Sequence, residues 1–409
     1  MDSVTIKALR RAWVHSHGLG RRTDSARSAL AGAGWLHAIA GVDPYLSVRS
    51  RYSALTKVEL DGLLADDTVR IVSAARGCTM LVPDDECGLA LSLSLLVGGR
   101  SHERDLMRLD VSIGEIERAA SGVIELLMDS PLTSRDIRKR LPVGLVRSLG
   151  EAGSKVGYSS TLPMVMRWLE YQGRVGRWPE GDRLDNQHYR WDLLDSDLEI
   201  IEDSELVVRR SIEQYLKFAG ASTVSDFSAW SGVGTRKSEI GFESLGLHPF
   251  RVEGTDAIVY ADQHSAELLL GGVARAPKSI ILPFREPLVD HRDGLALLLD
   301  PKHYHLQGRG WGSGTKSLVD IRRLGLRSIL IDGSLGGFWE YDEESQEIYY
   351  ALFDQMRGGD LRGLEADLEE LAGWLFSTFG HAKVHQTDSV RARRARVDSV
   401  LSLREILKK

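Results

Sequence analysis

The 409-residue sequence has only two cysteines, Cys78 and Cys87, and no histidine lies close to either. A zinc site built on them is therefore not expected, and a disulfide would be unusual in the cytoplasmic setting that the rest of the chain suggests. Long apolar runs are also missing. The longest, Leu89 to Val97, is about half a membrane span and is interrupted by serines. The first residues, MDSVTIKALRRAWVHSHGLGRR, mix charges with short apolar pairs and lack the apolar region of a signal peptide. An overall excess of positive charge is absent too. The net charge is −6, which argues weakly against a polyanionic partner. Hydrophobic residues at 43% and charged residues at 27% exclude wholesale disorder. The length exceeds one hydrophobic core and points to two to four domains.

The charge that is present is unevenly spread. Residues 1–60 carry nine basic side chains (Lys7, Arg10, Arg11, Arg21, Arg22, Arg27, Arg49, Arg51, Lys57) against Asp2, Asp24, Asp43 and Glu59, a local excess of five. Local field, not net charge, steers a polyanion to a surface. Composition therefore permits binding to DNA.

Three segments share one grammar of helices followed by two short strands. In the clearest, 114–195, Ile116, Ala119, Val123 and Leu126 form the stripe of an amphipathic helix over Gly114–Asp129. Thr133 can cap a second helix, SRDIRKRL, and Ser160 or Thr161 a third, LPMVMRWLEYQ, which Gly173 ends. RVGRW and HYRWDLL then alternate as strands around the turn PEGDRLDNQ. Helix–turn–helix followed by a β-ribbon is a winged helix. A second copy runs over about 204–263. A less regular one covers 1–110, where Lys57–Leu64 reads as a helix and VRIVSAARG with TMLVP as the wing. Beyond Gly272, SIILPF, LALLLD, SLVDI, RSILIDG and GGFWEYD read as short strands, then a helix at about 361–378 and a tail whose RARRAR reads as a solvated helical face. The expected fold is α+β and helix-rich: winged-helix domains over 1–112, 113–197 and 198–272, then a small β domain with a C-terminal helix over 273–409.

Five stretches, in order, resemble the AlkZ/YcaQ family of winged-helix DNA glycosylases: RGCTMLVPDD, RWLEYQGRVGRW with YRW, YLKFAGASTVSDFSAWSGVG, ILPFREPLVDHRD and ILIDGSLGGFW. The resemblance spans roughly residues 10–345. It implies hydrolysis of the N-glycosidic bond of alkylated or crosslinked purines, with a catalytic Gln–apolar–Gln or Gln–apolar–Asp triplet before a segment like PYLSLWAR. Here that segment is PYLSVRSR, and counting back without gaps places His37, Ala38 and Ile39 on the triplet. His37 thus stands for the first glutamine and Ile39 for the second polar position. A glutamine amide supplies an acceptor and a donor in fixed geometry. Neutral histidine keeps one of each and can serve as a base near neutral pH, whereas isoleucine offers neither. Asp43, four residues beyond Ile39, shares a face with it if this segment is helical; as the residue before Pro44 it also reads as a turn former or cap.

Other candidates are expected to contact DNA. Arg49 and Arg51 suit either phosphate contact or a salt bridge. Lys155, Tyr158, Ser159 and Ser160 precede the second domain's third helix, the usual recognition position, and Arg174, Arg177 and Arg183 lie in its wing. In 302–316, KHYHLQGRGWGSGTK, residues such as His303, His305, Arg309 and Trp311 suit phosphate contact and base stacking on a flexible loop. The histidine pair lacks a third ligand, so metal is not expected, nor any cofactor. The expected partner is double-stranded, damaged DNA, met by a monomer at the nucleoid, with no membrane contact. The competing readings are a DNA-binding protein that kept the scaffold and lost the chemistry, and a winged-helix transcriptional regulator. The first of these keeps DNA binding without base release; the second would carry a ligand module, which is not visible.

Overall fold

The computed structural model describes residues 1–20, 23–186, 188–194, 198–272 and 276–408. Arg21 and Arg22 of the basic segment, Gln187 in the second expected wing, and the residues at the boundaries 197 and 273 lie outside them. The fold mixes α and β, and a run of helices followed by two paired strands recurs three times. The first unit runs helix Ala26–Ala33, strand Leu36–His37, helices Asp43–Arg49 and Lys57–Ala65, then strands Val69–Ser73 and Thr79–Pro83. Thr79–Pro83 is the central strand of its three-stranded sheet. The second unit runs helix Ile113–Leu127, strand Leu132–Thr133, helices Ser134–Arg140, Gly150–Ser154 and Leu162–Tyr171, then strands Val175–Pro179 and Tyr189–Leu193. The third has helices Ser204–Ala219, Val224–Ser231 and Thr235–Glu243 before strands His248–Val252 and Ile258–Ala261. Its third strand comes from far away: Asp2–Val4 pairs in parallel with Phe250–Val252.

Local chemistry explains the starts and stops. Thr133 caps the amide of Asp136, and Thr56 with Glu59 and Thr223 with Asp226 form capping boxes, each worth about 1 kcal/mol. The helix Leu162–Tyr171 begins after Thr161 as the sequence suggests, but no side-chain cap forms there. The Thr161 hydroxyl accepts the Arg147 amide instead.

The first and second units are joined by helix Cys87–Arg108. The C-terminal part is a four-stranded antiparallel sheet in the order Ser279–Leu282, Arg327–Ile331, Ser334–Asp342, Glu347–Leu352. Helices Gly358–Thr378 and Val390–Leu407 pack against it. Three readings of this part are corrected. LALLLD is not a strand: Leu295, Leu298 and Leu299 are buried from consecutive turns, with the amides of Leu298 and Leu299 both donating to Leu295 O. SLVDI is a single 3-10 turn, Leu318–Asp320. RARRAR is not merely solvated. Arg393 and Arg396, three apart on one helix face, are buried and paired with Glu343, Glu340 and Asp388, while Arg391 and Arg394 face water.

The largest core cluster joins helix Ile6–Ser16 to the third unit and to the C-terminal sheet. Buried Arg10 bonds Leu297 O, Leu299 O, Asp300 and Ser334, and the Trp13 indole donates to Ala221 O. The same cluster holds Val400 and Leu403 of the last helix, so residues near the chain's two ends share one core.

Candidate active site

The segment 34–43 is held from three sides. At Gly34 (φ +79) an added Cβ would lie 2.7 Å from the Phe218 ring. His37 pairs with Met80 at the sheet edge, and the Ala38 amide donates to Thr79 O. Gly41 lies under the strap 381–388, where a Cβ would meet Val384 O at 2.4 Å, and the Val42 amide donates to Lys383 O. No larger residue fits at 41, so this strap fixes the backbone next to His37.

His37 faces a cluster that sequence separation hides. Its Nε2 lies 3.3 Å from Asp290 Oδ2 and 3.2 Å from Arg76 Nη2. Asp290 also receives Arg76 at 3.3 Å, Arg285 at 3.1 Å and Arg323 at 3.3 Å. Arg76 and Arg323 both donate to Ala229 O, and Arg76 to Trp230 O, at the end of helix Val224–Ser231. Carbonyls at a helix C-terminus lack intrahelical partners and carry partial negative charge, so cations gather there. Three residues here adopt left-handed backbone without being glycine: Ala40 (φ 57), Arg76 (φ 58) and Arg285 (φ 55). Such conformations cost of order 1 kcal/mol or more each and concentrate where geometry is held for function.

The electrostatics follow from burial among like charges. Burial first, then Arg285, pushes the His37 imidazole down to about 3 against the opposing pull of Asp290. Burial would raise the Asp290 carboxyl, but Arg285, the His37 hydrogen bond and Arg76 outweigh it and hold it well below the usual range. At neutral pH the site is thus a neutral histidine beside a fixed carboxylate, inside a ring of three arginines. Nε2 cannot accept from Arg76 and donate to Asp290 in the same tautomer. Donation to Asp290 leaves the Nδ1 lone pair as acceptor. The titration near neutral pH expected from an ordinary histidine is absent.

A family model described as "DNA glycosylase AlkZ-like" matches residues 30–374. The chain belongs to the AlkZ-like DNA glycosylase family. A solved structure, the DNA glycosylase AlkZ of Streptomyces sahachiroi, is similar at a TM-score of 0.70 and 19% identity, over 94% of this chain and 99% of that one. No curated protein sequence matches the chain at a significant level.

Placed on this AlkZ-like chain, the residues expected from sequence separate. His37 and Ile39 line one small cavity with Asp43, Phe284, Arg285 and Val384. The helical route from Ile39 to Asp43 does not exist, because helix begins only at Asp43. Asp43 instead accepts the Phe284 amide at 2.9 Å and Arg327 at 3.1 and 3.2 Å. Of the two roles open to Arg49 and Arg51, the structure gives the salt bridge. Arg49 pairs with Glu370 at 2.6 Å over the Trp374 ring, and buried Arg51 pairs with Glu286 at 2.6 Å. Arg51 is enclosed and cannot reach a phosphate.

In the second unit Lys155, Ser159 and Arg174 are exposed, whereas Tyr158 and Ser160 are buried. Arg177 is held by Glu170 and stacked over Trp191, which removes it from the free cations. The stretch 302–316 is not a loose loop but a hairpin, Gln307–Gly310 with Gly314–Ser317. Its Gly308 sits where a Cβ would meet the Leu318 side chain at 2.3 Å, and Arg309 is half-buried on it. His303 is buried against Phe353 and 3.3 Å from Asp354, so a phosphate role is corrected to packing; His305 is exposed. Trp311 at the tip is 42% exposed and packs on Phe284, a wall of the His37 cavity.

Sequence reasoning missed Arg76, Arg285, Asp290 and Arg323. A signal for three of them existed, since Arg76 opens RGCTMLVPDD, and Arg285 and Asp290 sit in ILPFREPLVDHRD. Nothing local marks Arg323.

Proposed function

We propose that this AlkZ-like protein is a DNA glycosylase that hydrolyses the N-glycosidic bond of N-alkylated purines in duplex DNA, and that its three repeated units are winged helices, domains 1–112, 113–197 and 198–272, that carry the duplex. It acts as a monomer at the nucleoid, on bulky or crosslinked adducts, in repair or in resistance to a genotoxin. The observation that carries the reading is neutral His37 fixed between Asp290 and Arg76. An N-alkylated purine is cationic and leaves without a strong acid. As the C–N bond breaks, its electron pair neutralises the purine ring and the sugar becomes oxocarbenium-like. The site's task is to place a water beneath the anomeric carbon and to stabilise positive charge on the sugar. With Nε2–H donated to Asp290, Nδ1 of His37 accepts a hydrogen bond from that water and aims its lone pair. Ionised Asp290 supplies the charge. Attack forms the C–O bond, and the resulting oxonium, a strong acid, loses its proton to solvent. Neither group need act as a strong base. Asp43, bound on every side to Arg327 and Phe284, anchors the segment.

The test is base release from duplex DNA carrying N7-alkylguanine, read as strand breaks after alkali. Wild type should release base, and Asp290→Asn should be slower by about 10²-fold. Ile39, apolar where the family places a polar residue, favours a second reading in which the scaffold binds DNA without chemistry. Wild type that binds duplex DNA but is inert on every alkylated purine would establish that one.

A further inference from the structure

A second cleft lies on the far side of the turn that carries Arg76. Gly77 and Thr79 form one wall, and the other comes from the second unit's helices Ser134–Arg140 and Leu162–Tyr171. Arg135 and Arg138, three apart on one face, both line it, as does Arg167. None of the three has a carboxylate partner among the described residues. The Arg167 guanidinium is instead carried by two phenol oxygens, Tyr171 at 2.6 Å and Tyr158 at 3.2 Å, on tyrosines that are themselves buried. The lining's one acidic residue, Glu170, is neutralised by Arg177. The other polar groups are neutral hydroxyls, such as Ser159 and Thr79. Resting on the reading of the chain as a DNA-acting protein, we infer that this cleft is a phosphodiester-binding subsite, in which Arg135, Arg138 and Arg167 hold the DNA backbone beside the His37 site.

Three features favour a nucleic-acid backbone. Cations without carboxylate partners, with neutral donors between them, suit an anion that brings its own charge. Arg135, Arg138 and Arg167 are exposed, so they reach a ligand lying along the cleft. The cleft also shares its wall with the active site. An added Cβ at Gly77 would lie 2.9 Å from the Tyr171 hydroxyl, so the turn bearing Arg76 rests on the same tyrosine that carries Arg167. A duplex held here runs directly past the turn that presents Arg76 to His37.

The experiment is fluorescence anisotropy on an undamaged duplex across a KCl series. Each phosphate contact contributes about 0.9 to the slope of log affinity against log salt. The variant Arg135→Gln/Arg138→Gln/Arg167→Gln should therefore have a slope shallower than wild type by about 2.7. Arg167→Lys alone should keep the wild-type slope, because the charge remains, whereas Arg167→Gln loses about one contact's worth. An unchanged slope in the triple variant would overturn the subsite. So would a fall with Arg167→Lys equal to that with Arg167→Gln, since Arg167 would then serve only to hold the tyrosines. Base release by wild type on lesion DNA is measured separately. Its absence would count against the His37 chemistry and leave the slope comparison to judge the cleft.

Discussion

Replacing Asp43 separates an anchor from a catalyst. The carboxylate accepts three hydrogen bonds, from the Phe284 amide and from two nitrogens of fully buried Arg327, which also binds Glu340 at 2.8 Å. Asp43→Ala leaves Arg327 with one carboxylate and an unfilled space, and breaking a buried pair of this kind costs about 3–5 kcal/mol. Asp43→Asn keeps an acceptor for the Phe284 amide and Arg327 Nε but sets an NH2 donor against Arg327 Nη2 in place of Oδ2, so about 1–2 kcal/mol is expected at pH 7. The pH dependence gives a sharper test. Burial, outweighing Arg327 and the Phe284 amide, pushes the Asp43 carboxyl up to about 6 from 3.8. A raised carboxyl contributes stability below its unfolded value that is lost as pH rises through the folded one. Wild type therefore gains on going from about pH 7 to pH 5, by roughly 1 kcal/mol from this group, and asparagine cannot. The gap between wild type and Asp43→Asn should widen over that range in urea unfolding followed by circular dichroism. Base release by the folded Asn variant should stay within about threefold of wild type. A fall of about 10²-fold with undiminished stability would show that Asp43 takes part in the chemistry and that its assignment as an anchor is wrong.

Three other outcomes follow from the same structure. Burial holds His17 and His291 well below the usual histidine range, and pushes His102 down to about 4 and His37 to about 3. Each is neutral when folded and takes up a proton when unfolded, so stability should fall as pH drops from about 6.5 toward 4, with Asp43 offsetting part of the fall; a melting series that is flat over this window contradicts it. Trp311→Ala should weaken binding to lesion DNA about 10-fold, within the range for one stacked aromatic, with little change in melting temperature; unaltered affinity would remove the hairpin tip from the lesion site. Arg396→Ala strips buried Asp388 of its arginine and leaves Glu340 with Arg327 alone, and should cost about 3 kcal/mol, whereas Arg391→Ala should be nearly neutral; equal effects would restore the solvated reading of this helix.

Much of the architecture is legible because helices declare their own ends. Thr133, Thr56 and Thr223 cap the helices that they precede, and the three expected wings pair as strands. Reading failed where meaning is set by distant partners. LALLLD has strand composition but no alternation, and only the core beneath it decides that its leucines come from turns. RARRAR looks solvated until acidic side chains from the sheet reach Arg393 and Arg396. Asp2–Val4 is too short to signal a strand without its partner at Phe250–Val252. His37 was legible only through resemblance. Its carboxylate, Asp290, is 253 residues away, and Arg76 and Asp290 are 214 apart. The histidine's low pKa depends on those arginines, so no local pattern discloses that it stays neutral.

The most direct test is single-turnover base release from an N7-alkylguanine duplex by wild type, His37→Ala and His37→Gln, across about pH 5 to 8, with stability measured beside each rate. Wild type should release base at a rate that does not change with pH in this range, because His37 titrates at about 3. His37→Ala should be slower by about 10²-fold or more, and His37→Gln, which restores an acceptor and a donor, should retain more activity than alanine. A folded His37→Ala protein that releases base at the wild-type rate would contradict the account, as would a wild-type rate that falls through pH 6 to 7 in step with an ordinary histidine.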